Sequence, residues 1–282
     1  MNITINRHND PAYEFMLDSL IQEVFGISFA LWFERGLWGN NYESYSIIED
    51  GKMLSNVCIY KAELLVCGEK VTANQFGAVA TSKSARGKGL SRILMEHVLS
   101  LYPDTLAYLA ANSSVINFYP QFGFRQIQTY KAGHFVNINN DSTKAIKCKA
   151  DNEIVTQAIN SRNMYSNLVD CTNSESIQIF HLIMSYPDDI YYLPGCKAVV
   201  VSTKKDGKLF LADVVAQNPI TFAELALELP FDGINVVEFG FNPDWLGIAA
   251  NWQPASLKHE PFFIKGNWKL PEKFRFPITS ET

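Results

Sequence analysis

The sequence predicts an α/β (α+β) fold with a mixed central sheet flanked by helices, and two patterns predict it. Residues 71–81 and 106–111 read as strands with a helix-like segment between them, which is the order of a β-α-β unit. Asp50-Gly51 lies between two further strand-like runs, which is a strong signal for an antiparallel hairpin. Parallel and antiparallel neighbours are therefore expected in one sheet.

The first elements follow from local signals. Residues 1–8 alternate as an edge strand does, and Asp10-Pro11 supplies an N-cap with proline at the first helical position. A helix is expected from about residue 11 to residue 25. The hairpin joins residues 45–48 to 53–60, and a second turn at residues 67–69 leads into the strand at 71–81.

The next elements continue the alternation. Apolar side chains at three- and four-residue spacing predict a helix after residue 89, with its buried face formed by Leu90, Ile93, Leu94, His97, Val98 and Leu101. A buried strand follows at 106–111, and then a short helix that starts at residues 115–119 and is capped by Gly123. Two strand-like runs, 126–130 and 134–138, complete this half.

The segment Arg86 to Ser91 precedes the helix and so forms its N-terminus. The first N–H groups of a helix lack internal partners and carry partial positive charge, which suits a diphosphate. Gly87 and Gly89 allow close approach and positive φ, while Arg86 and Lys88 add screened attraction. A solvated basic loop is the alternative interpretation.

The next strand ends at the same edge of the sheet, where ligands collect in open α/β sheets. Asn112 lies just beyond this strand, and Tyr119 lies one or two helical turns later. Both are therefore expected near the glycine-rich turn.

In these residues the chain resembles the GCN5-related N-acetyltransferase (GNAT) family. The family's cofactor signature matches Arg86, Gly89 and Ser91, with Ser91 a mild departure from the usual small residue. Its second signature matches Asn112, the pair Phe118-Tyr119 and the pair Gly123-Phe124. Within the family, the resemblance is to tandem enzymes of the enhanced-intracellular-survival type, and a chain of this length is not expected to carry their third domain.

The resemblance implies a GNAT fold that binds acetyl-CoA (CoA) and passes the acetyl group to an amine that attacks the thioester directly. The residues expected to bind the cofactor are Val79, Ala80, Thr81, Arg86, Gly87, Lys88, Gly89, Leu90, Ser91 and Asn112. Residues 79–81 resemble the splayed strand that binds pantetheine, and an amide around Val79 would stabilise the oxyanion. Tyr119 is the expected acid for the thiolate, and its alternative interpretation is a packing tyrosine.

The general base is less defined by the sequence. Glu14, Glu23 and Glu34 lie in the N-terminal helical region and are alternatives, although each also reads as a solvated helix charge. His97 is expected to pack. In the tandem relatives the terminal carboxylate reaches the acceptor site, and the tail at 271–282 has the same opportunity.

A chain of 282 residues is expected to form two domains. The polar stretch 137–151 separates a GNAT domain at residues 1–140 from a second, degenerate GNAT-like domain at residues 152–282. Its predicted elements are capping boxes at 172–175 and 221–224, a hairpin at 206–207 and a buried strand at 234–241. Because residues 216–221 lack the glycine turn, this domain is not expected to bind CoA. An unrelated α+β domain is the alternative.

Composition excludes several classes of protein. The net charge of −5 and the lack of a basic stripe argue against nucleic acid, and residues 87–89 do not form a Walker loop. No membrane-length apolar run or targeting pattern occurs, and five scattered cysteines indicate reduced thiols rather than a metal or disulfide framework. A soluble, cytoplasmic protein is expected, and a homo-oligomer is compatible with the resemblance.

The acceptor and the activity itself leave alternatives open. An aromatic group either lines an acceptor pocket or packs the two domains together: Phe29, Trp32, Phe33, Trp38, Tyr42 and Tyr45. The acceptor is expected to be a small-molecule or peptide amine. The alternative to catalysis is a catalytically silent CoA-binding sensor or scaffold.

Overall fold

A computed structural model describes residues 2–5, 8–138, 140, 142 and 144–282. The first half contains β1 (Ile3–Ile5), α1 (Pro11–Phe25), α2 (Ala30–Glu34), β2 (Tyr42–Glu49), β3 (Lys52–Val66), β4 (Glu69–Thr81), α3 (Leu90–Leu101), β5 (Leu106–Ala110), β6 (Arg125–Ile127) and β7 (Tyr130–Phe135). The second half contains β8 (Ile146–Cys148), α4 (Glu153–Asn160), β9 (Val169–Cys171), α5 (Glu175–Met184), β10 (Ile190–Leu193), β11 (Ala198–Lys205), β12 (Lys208–Ala216), α6 (Phe222–Ala226), β13 (Val236–Phe239), β14 (Asn251–Pro254) and β15 (Phe262–Lys265).

These strands form two mixed sheets in the described part of the chain. The first has the order β1-β2-β3-β4-β5-β15-β6, with β9 paired to β3. The second has the order β14-β7-β13-β12-β11-β10-β8. Each sheet contains one parallel pair, β4 with β5 in the first and β12 with β13 in the second. The predicted α/β class with mixed sheets and flanking helices is therefore confirmed.

Helix α1 has the predicted bounds and the predicted N-cap. The Asp10 carboxylate accepts hydrogen bonds from the main-chain N–H groups of Ala12 and Tyr13 at 3.1 and 3.2 Å, and Pro11 is the first helical residue. Gly26 ends the helix in the left-handed conformation at φ 72°. These local groups satisfy the free ends of the helix, so its limits follow from the sequence.

Both predicted turns connect neighbouring strands of the first sheet. Asp50-Gly51 joins β2 to β3 and Cys67-Gly68 joins β3 to β4, and all four residues have positive φ. Strand β1 pairs antiparallel with β2 at the edge of the sheet, as expected. Of the predicted edge strand at 1–8, residues 1, 6 and 7 lie outside the described residues.

Helix α3 forms where it was expected and buries only part of the predicted face. Leu90, Leu94, Met95 and Val98 are buried against the sheet. The prediction was wrong for Ile93 and Leu101, which are 39% and 46% exposed. These two residues belong to the adjacent i, i+4 row with His97, at the margin of the buried stripe.

The segment after β5 differs from the sequence expectation. Two short 3-10 turns, Ser113–Val115 and Tyr119–Phe122, replace the single short helix, although Gly123 caps the second turn at φ 81° as predicted. The two strands that follow start earlier than predicted, and β7 belongs to the second sheet. Strand β15 returns from the distant end of the chain and takes the place between β5 and β6.

The second half repeats the order of the first. The hairpin β11-β12 turns at Asp206-Gly207, and α6 then leads to β13 parallel to β12, just as α3 connects β4 to β5. The capping box of Thr221 and Glu224 is present. Thr172 does not open a helix: its hydroxyl donates to the Glu63 carbonyl at 3.4 Å beside the β3-β9 pairing, and α5 begins three residues later. The tertiary pairing therefore overrides the local capping pattern.

Sheet membership crosses the predicted division at two places. Strand β7 comes from residues 1–140 but lies in the second sheet, and β15 comes from residues 152–282 but lies in the first. The division into domains 1–140 and 152–282 remains a prediction. No helix among the described residues has the length and apolar character needed to cross a membrane.

Candidate active site

The glycine-rich turn has the backbone geometry expected of an anion cradle. Gly87 and Gly89 have φ of 78° and 74°, and no atom lies within 4 Å of where a Cβ would be at either position. Gly89 is the N-cap of α3, so the first N–H groups of the helix lack acceptors within the helix itself. This turn therefore presents main-chain donors and open space together.

The turn faces a cavity of about 950 Å³ at the carboxyl edges of β4 and β5. Nine of the predicted site residues line it: Val79, Thr81, Arg86, Gly87, Gly89, Leu90, Ser91, Asn112 and Tyr119. Ala80 and Lys88 do not. Ala80 is 1% exposed and packs on the opposite face of β4, because neighbouring residues in a strand point to opposite faces, and Lys88 is exposed.

Strand β4 is splayed by a bulge at this cavity. The pairing shifts so that Asn56 faces Ala80 while Cys58 faces Gly77, and Ala78 between them has φ 47°. The Asn56 side-chain amide donates to the Ala78 carbonyl at 3.1 Å. A bulge frees main-chain groups from the ladder, so this part of β4 can present them to a ligand.

Ser91 ties the turn to β4. Its hydroxyl lies 2.5 Å from the Thr81 hydroxyl, which in turn lies 2.9 Å from the Ser55 hydroxyl. The Arg86 Nε donates to the Thr81 carbonyl at 3.5 Å. The side chain of Ser91, the departure from the usual signature, therefore contacts the strand that lines the cavity.

Tyr119 lies in an apolar setting at the cavity wall. Its ring packs against Phe118, Phe124 and Phe263 with centroid distances of 5.3, 6.1 and 5.6 Å. Burial raises the pKa of the Tyr119 phenol to about 12. The phenol therefore stays protonated at neutral pH and can act as a donor.

The last residues of the sequence lie at the same place. Thr282 lines the cavity, and its side chain and carbonyl carbon pack closely on Gly77 of β4. In the orientation that satisfies both of its polar atoms, the Gln75 side-chain amide donates to the Ser280 carbonyl and accepts from the Thr282 N–H, both at 3.0 Å. The Gln75 side chain thus holds the main chain of the tail against β4.

The second half holds the tail from its other side. The Thr279 hydroxyl donates to Asp213 at 2.6 Å, and the hydroxyls of Ser280 and Ser174 lie 3.0 Å apart. A ring nitrogen of His181 lies 2.7 Å from the Glu281 carbonyl. Burial lowers the pKa of His181, which favours the neutral ring at this contact.

A smaller cavity of about 180 Å³ lies beside the larger one. Both halves of the chain form its wall: Ile21, Phe25, Ile27, Phe29, Trp32, Tyr42 and Ala78 from the first, and Ile177, Phe180, Glu281 and Thr282 from the second. Phe25, Ala78 and Thr282 line both cavities. Burial raises the pKa of Glu281 to about 7, against a smaller opposite effect of Arg275.

The aromatic residues predicted either to line a pocket or to pack the two halves together do both. Phe29, Trp32 and Tyr42 line the smaller cavity, and Phe29 also packs edge-on against Phe180 of α5 at 5.3 Å. Both the pocket and the packing between halves are therefore observed. Tyr45 is elsewhere: its hydroxyl donates to Glu43 at 2.6 Å, and its ring packs on His97, which was expected to pack.

The three glutamates considered as bases do not line either cavity. Glu14 accepts from the Asn9 N–H at 2.9 Å, and Glu23 accepts from the Lys83 N–H at 2.6 Å. Glu34 is exposed.

Sequence reasoning missed Phe180 and Glu281, because no local pattern indicates that α5 and the tail meet the first half. Within the described residues, no three His, Cys, Asp or Glu side chains lie together as a metal site.

Comparison with known proteins identifies the same region. Residues 19–127 match the model of the acetyltransferase (GNAT) domain, and no curated protein matches the chain. A probable N-acyltransferase of Enterococcus faecalis has a similar structure, with a TM-score of 0.61 and 16% identity over 94% of this chain and 72% of that one. Eis1 from Mycobacterium abscessus aligns with a TM-score of 0.58 and 15% identity, covering 93% and 73% of the two chains. A GCN5-related N-acetyltransferase from Kribbella flavida aligns with a TM-score of 0.56 and 14% identity, covering 93% and 70%.

Proposed function

We propose that this chain, whose residues 19–127 match the GNAT acetyltransferase domain, is an N-acetyltransferase that moves an acetyl group from acetyl-CoA to a primary amine. The observation that carries the proposal is the larger cavity, where the glycine turn, the bulge of β4, Tyr119 and Thr282 meet. Direct attack of the amine on the thioester is the reaction that this arrangement fits best.

The cofactor would bind by its diphosphate at residues 86–91. The N–H groups at the start of α3 favour negative oxygens, and the open space at Gly87 and Gly89 permits close approach. The pantetheine arm would follow the freed main chain of Val79 and Thr81 toward Asn112, which lies just past the end of β5.

The amine must lose a proton, since an unperturbed amine is protonated at neutral pH. Where the chain ends at Thr282, its α-carboxylate is the proposed base, because Thr282 borders both cavities. The amine nitrogen then bonds to the thioester carbon. A main-chain N–H around Val79 would stabilise the oxyanion that develops.

Collapse of this intermediate breaks the carbon–sulfur bond and releases CoA thiolate. Tyr119 would donate its phenolic proton to that sulfur, and its raised pKa keeps the proton available at neutral pH. The products are the acetylated amine and CoA thiol.

Thiol release from acetyl-CoA over a panel of amines tests this proposal. The Tyr119→Phe variant is expected to lower turnover at saturating acetyl-CoA by about 100- to 10,000-fold, the usual range for general acid catalysis. Tyr191→Phe, a partly buried tyrosine on β10 outside both cavities, is the matched control. Equal rates for the two variants would exclude Tyr119 as the acid. CoA binding without thiol release for any amine would favour a sensor or scaffold.

The second half is proposed to bind no cofactor. Between β12 and α6 the chain lacks the glycine pair, and Pro219 removes one main-chain donor. Calorimetric titration is expected to give one CoA per chain. A stoichiometry of two would refute this part.

A further inference from the structure

We infer that the smaller cavity binds the hydrocarbon body of a small apolar primary amine, and that Phe180 of the second half limits its length. This inference rests on the proposed function, because it identifies the acceptor of the same site. It also gives the second half a role in selecting the acceptor without binding the cofactor.

The wall of the cavity is apolar and fixed. The ring of Phe29 packs edge-on against Phe180 at 5.3 Å and against Trp32 at 5.8 Å. The Trp32 indole N–H donates to the Ser176 carbonyl of α5 at 3.0 Å, so its polar atom is already bonded. An acceptor therefore meets ring faces and edges rather than polar groups.

The cavity wall contains few polar side chains. Glu281 is the one acidic side chain among the lining residues, and it neighbours Thr282, which also borders the larger cavity. An amine nitrogen beside these two residues would lie next to the thioester site while its carbon body points away. A second ammonium on the carbon body would be buried against the apolar side chains of the wall without an acidic partner of its own, which is costly.

The volume limits the length of the acceptor. An apolar cavity of about 150 Å³ is known to hold benzene, and this cavity measures about 180 Å³. One aromatic ring or an alkyl chain of about six carbons fits this space. Phe180 forms the wall contributed by α5, so trimming it should lengthen the preferred chain.

Hexylamine and 1,6-diaminohexane form the decisive pair of substrates, because they differ only in the second ammonium group. At pH 7.5 with saturating acetyl-CoA, kcat/KM for hexylamine is expected to exceed that for the diamine by at least about tenfold. The Phe180→Ala variant should lower kcat/KM for hexylamine by about tenfold or more and shift the optimum toward longer alkylamines, with KM for acetyl-CoA unchanged.

The matched control is Phe135→Ala, which truncates a phenylalanine that is 71% exposed on β7. Phe180→Leu gives a second variant with a smaller loss of volume, in case the alanine variant does not fold. A diamine rate equal to or above the hexylamine rate, or Phe180 variants that match Phe135→Ala, would overturn the inference while the proposed function stands.

If thiol release fails for every amine, the proposed function fails, and binding then tests the cavity separately. Calorimetry with hexylamine in the presence of CoA should show binding to the parent chain that Phe180→Ala weakens. The absence of such binding, or the same affinity in both proteins, would overturn the inference as well.

Discussion

Replacing Gly77 by alanine tests the position of Thr282 with a single methyl group. Gly77 lies in β4 in a backbone conformation open to alanine, so the strand itself should tolerate the change. The added Cβ, however, would lie 2.3 Å from the Thr282 hydroxyl oxygen and 2.7 Å from its Cβ. Because ordinary contacts begin at 3.4 Å, the hydroxyl oxygen must move by about 1.1 Å and the Thr282 Cβ by about 0.7 Å.

A displacement of this size has a predictable effect on the reaction. Misplacing a reacting group by about 1 Å costs on the order of 100-fold in rate, which equals about 2.7 kcal/mol in the activation free energy. The free energy of unfolding should fall by only about 1–3 kcal/mol, the usual cost of overpacking. We therefore expect Gly77→Ala to fold and to lose about 100-fold in kcat.

The second variant distinguishes the clash from other effects. Thr282→Gly in the Gly77→Ala background removes the two closest side-chain atoms and leaves the main-chain carbon at 3.1 Å from the added Cβ. It should restore most of the lost rate. Gly133→Ala is the control, since its Cβ would make ordinary contacts of 3.7 and 3.8 Å with carbonyl oxygens.

Thiol release must be measured together with a CoA titration, because Gly77 also borders the larger cavity, where CoA is proposed to bind. Full activity in Gly77→Ala would show that the position of Thr282 does not matter for turnover. A double variant as slow as the single one, with CoA affinity unchanged, would refute the clash as the cause.

Two further predictions concern the turn and the tail. Gly89→Ala gives residue 89 a Cβ at φ 74°, which strains the start of α3 by about 1–2 kcal/mol, so the Kd for CoA should rise. Gly39→Ala is the control, because residue 39 lies in open space without positive φ and its substitution should leave the Kd unchanged. For Glu281, burial raises the pKa in the fold to about 7 from 4.5, so its stabilising effect is complete below pH 4.5 and is lost as the pH rises through 7. Thermal unfolding between pH 5 and pH 8 should show this loss in the parent chain and not in Glu281→Gln; parallel Tm profiles would contradict it.

Much of the fold is encoded locally. The bounds of α1 follow from the side-chain cap of Asp10, and the hairpins follow from residues that accept positive φ at Asp50-Gly51 and Asp206-Gly207. The order of hairpin, helix and strand in the second half was likewise predicted from local turn and capping residues. At Thr172 the predicted capping box did not form, because this residue hydrogen-bonds to the distant strand β3 instead.

The candidate site likewise contains residues predicted from local sequence and residues that only the tertiary structure brings together. The sequence by itself determined the glycine turn and its neighbours Asn112 and Tyr119, because one β-α-β unit and the turn that follows it bring residues 86–119 to the same sheet edge. Only the tertiary structure decided that β15 enters the first sheet, that Thr282 packs on Gly77 and that Phe180 completes a pocket with Phe29. These contacts join residues far apart in the chain, and their stability comes from burial and packing complementarity, for which no local spacing or propensity carries a signal.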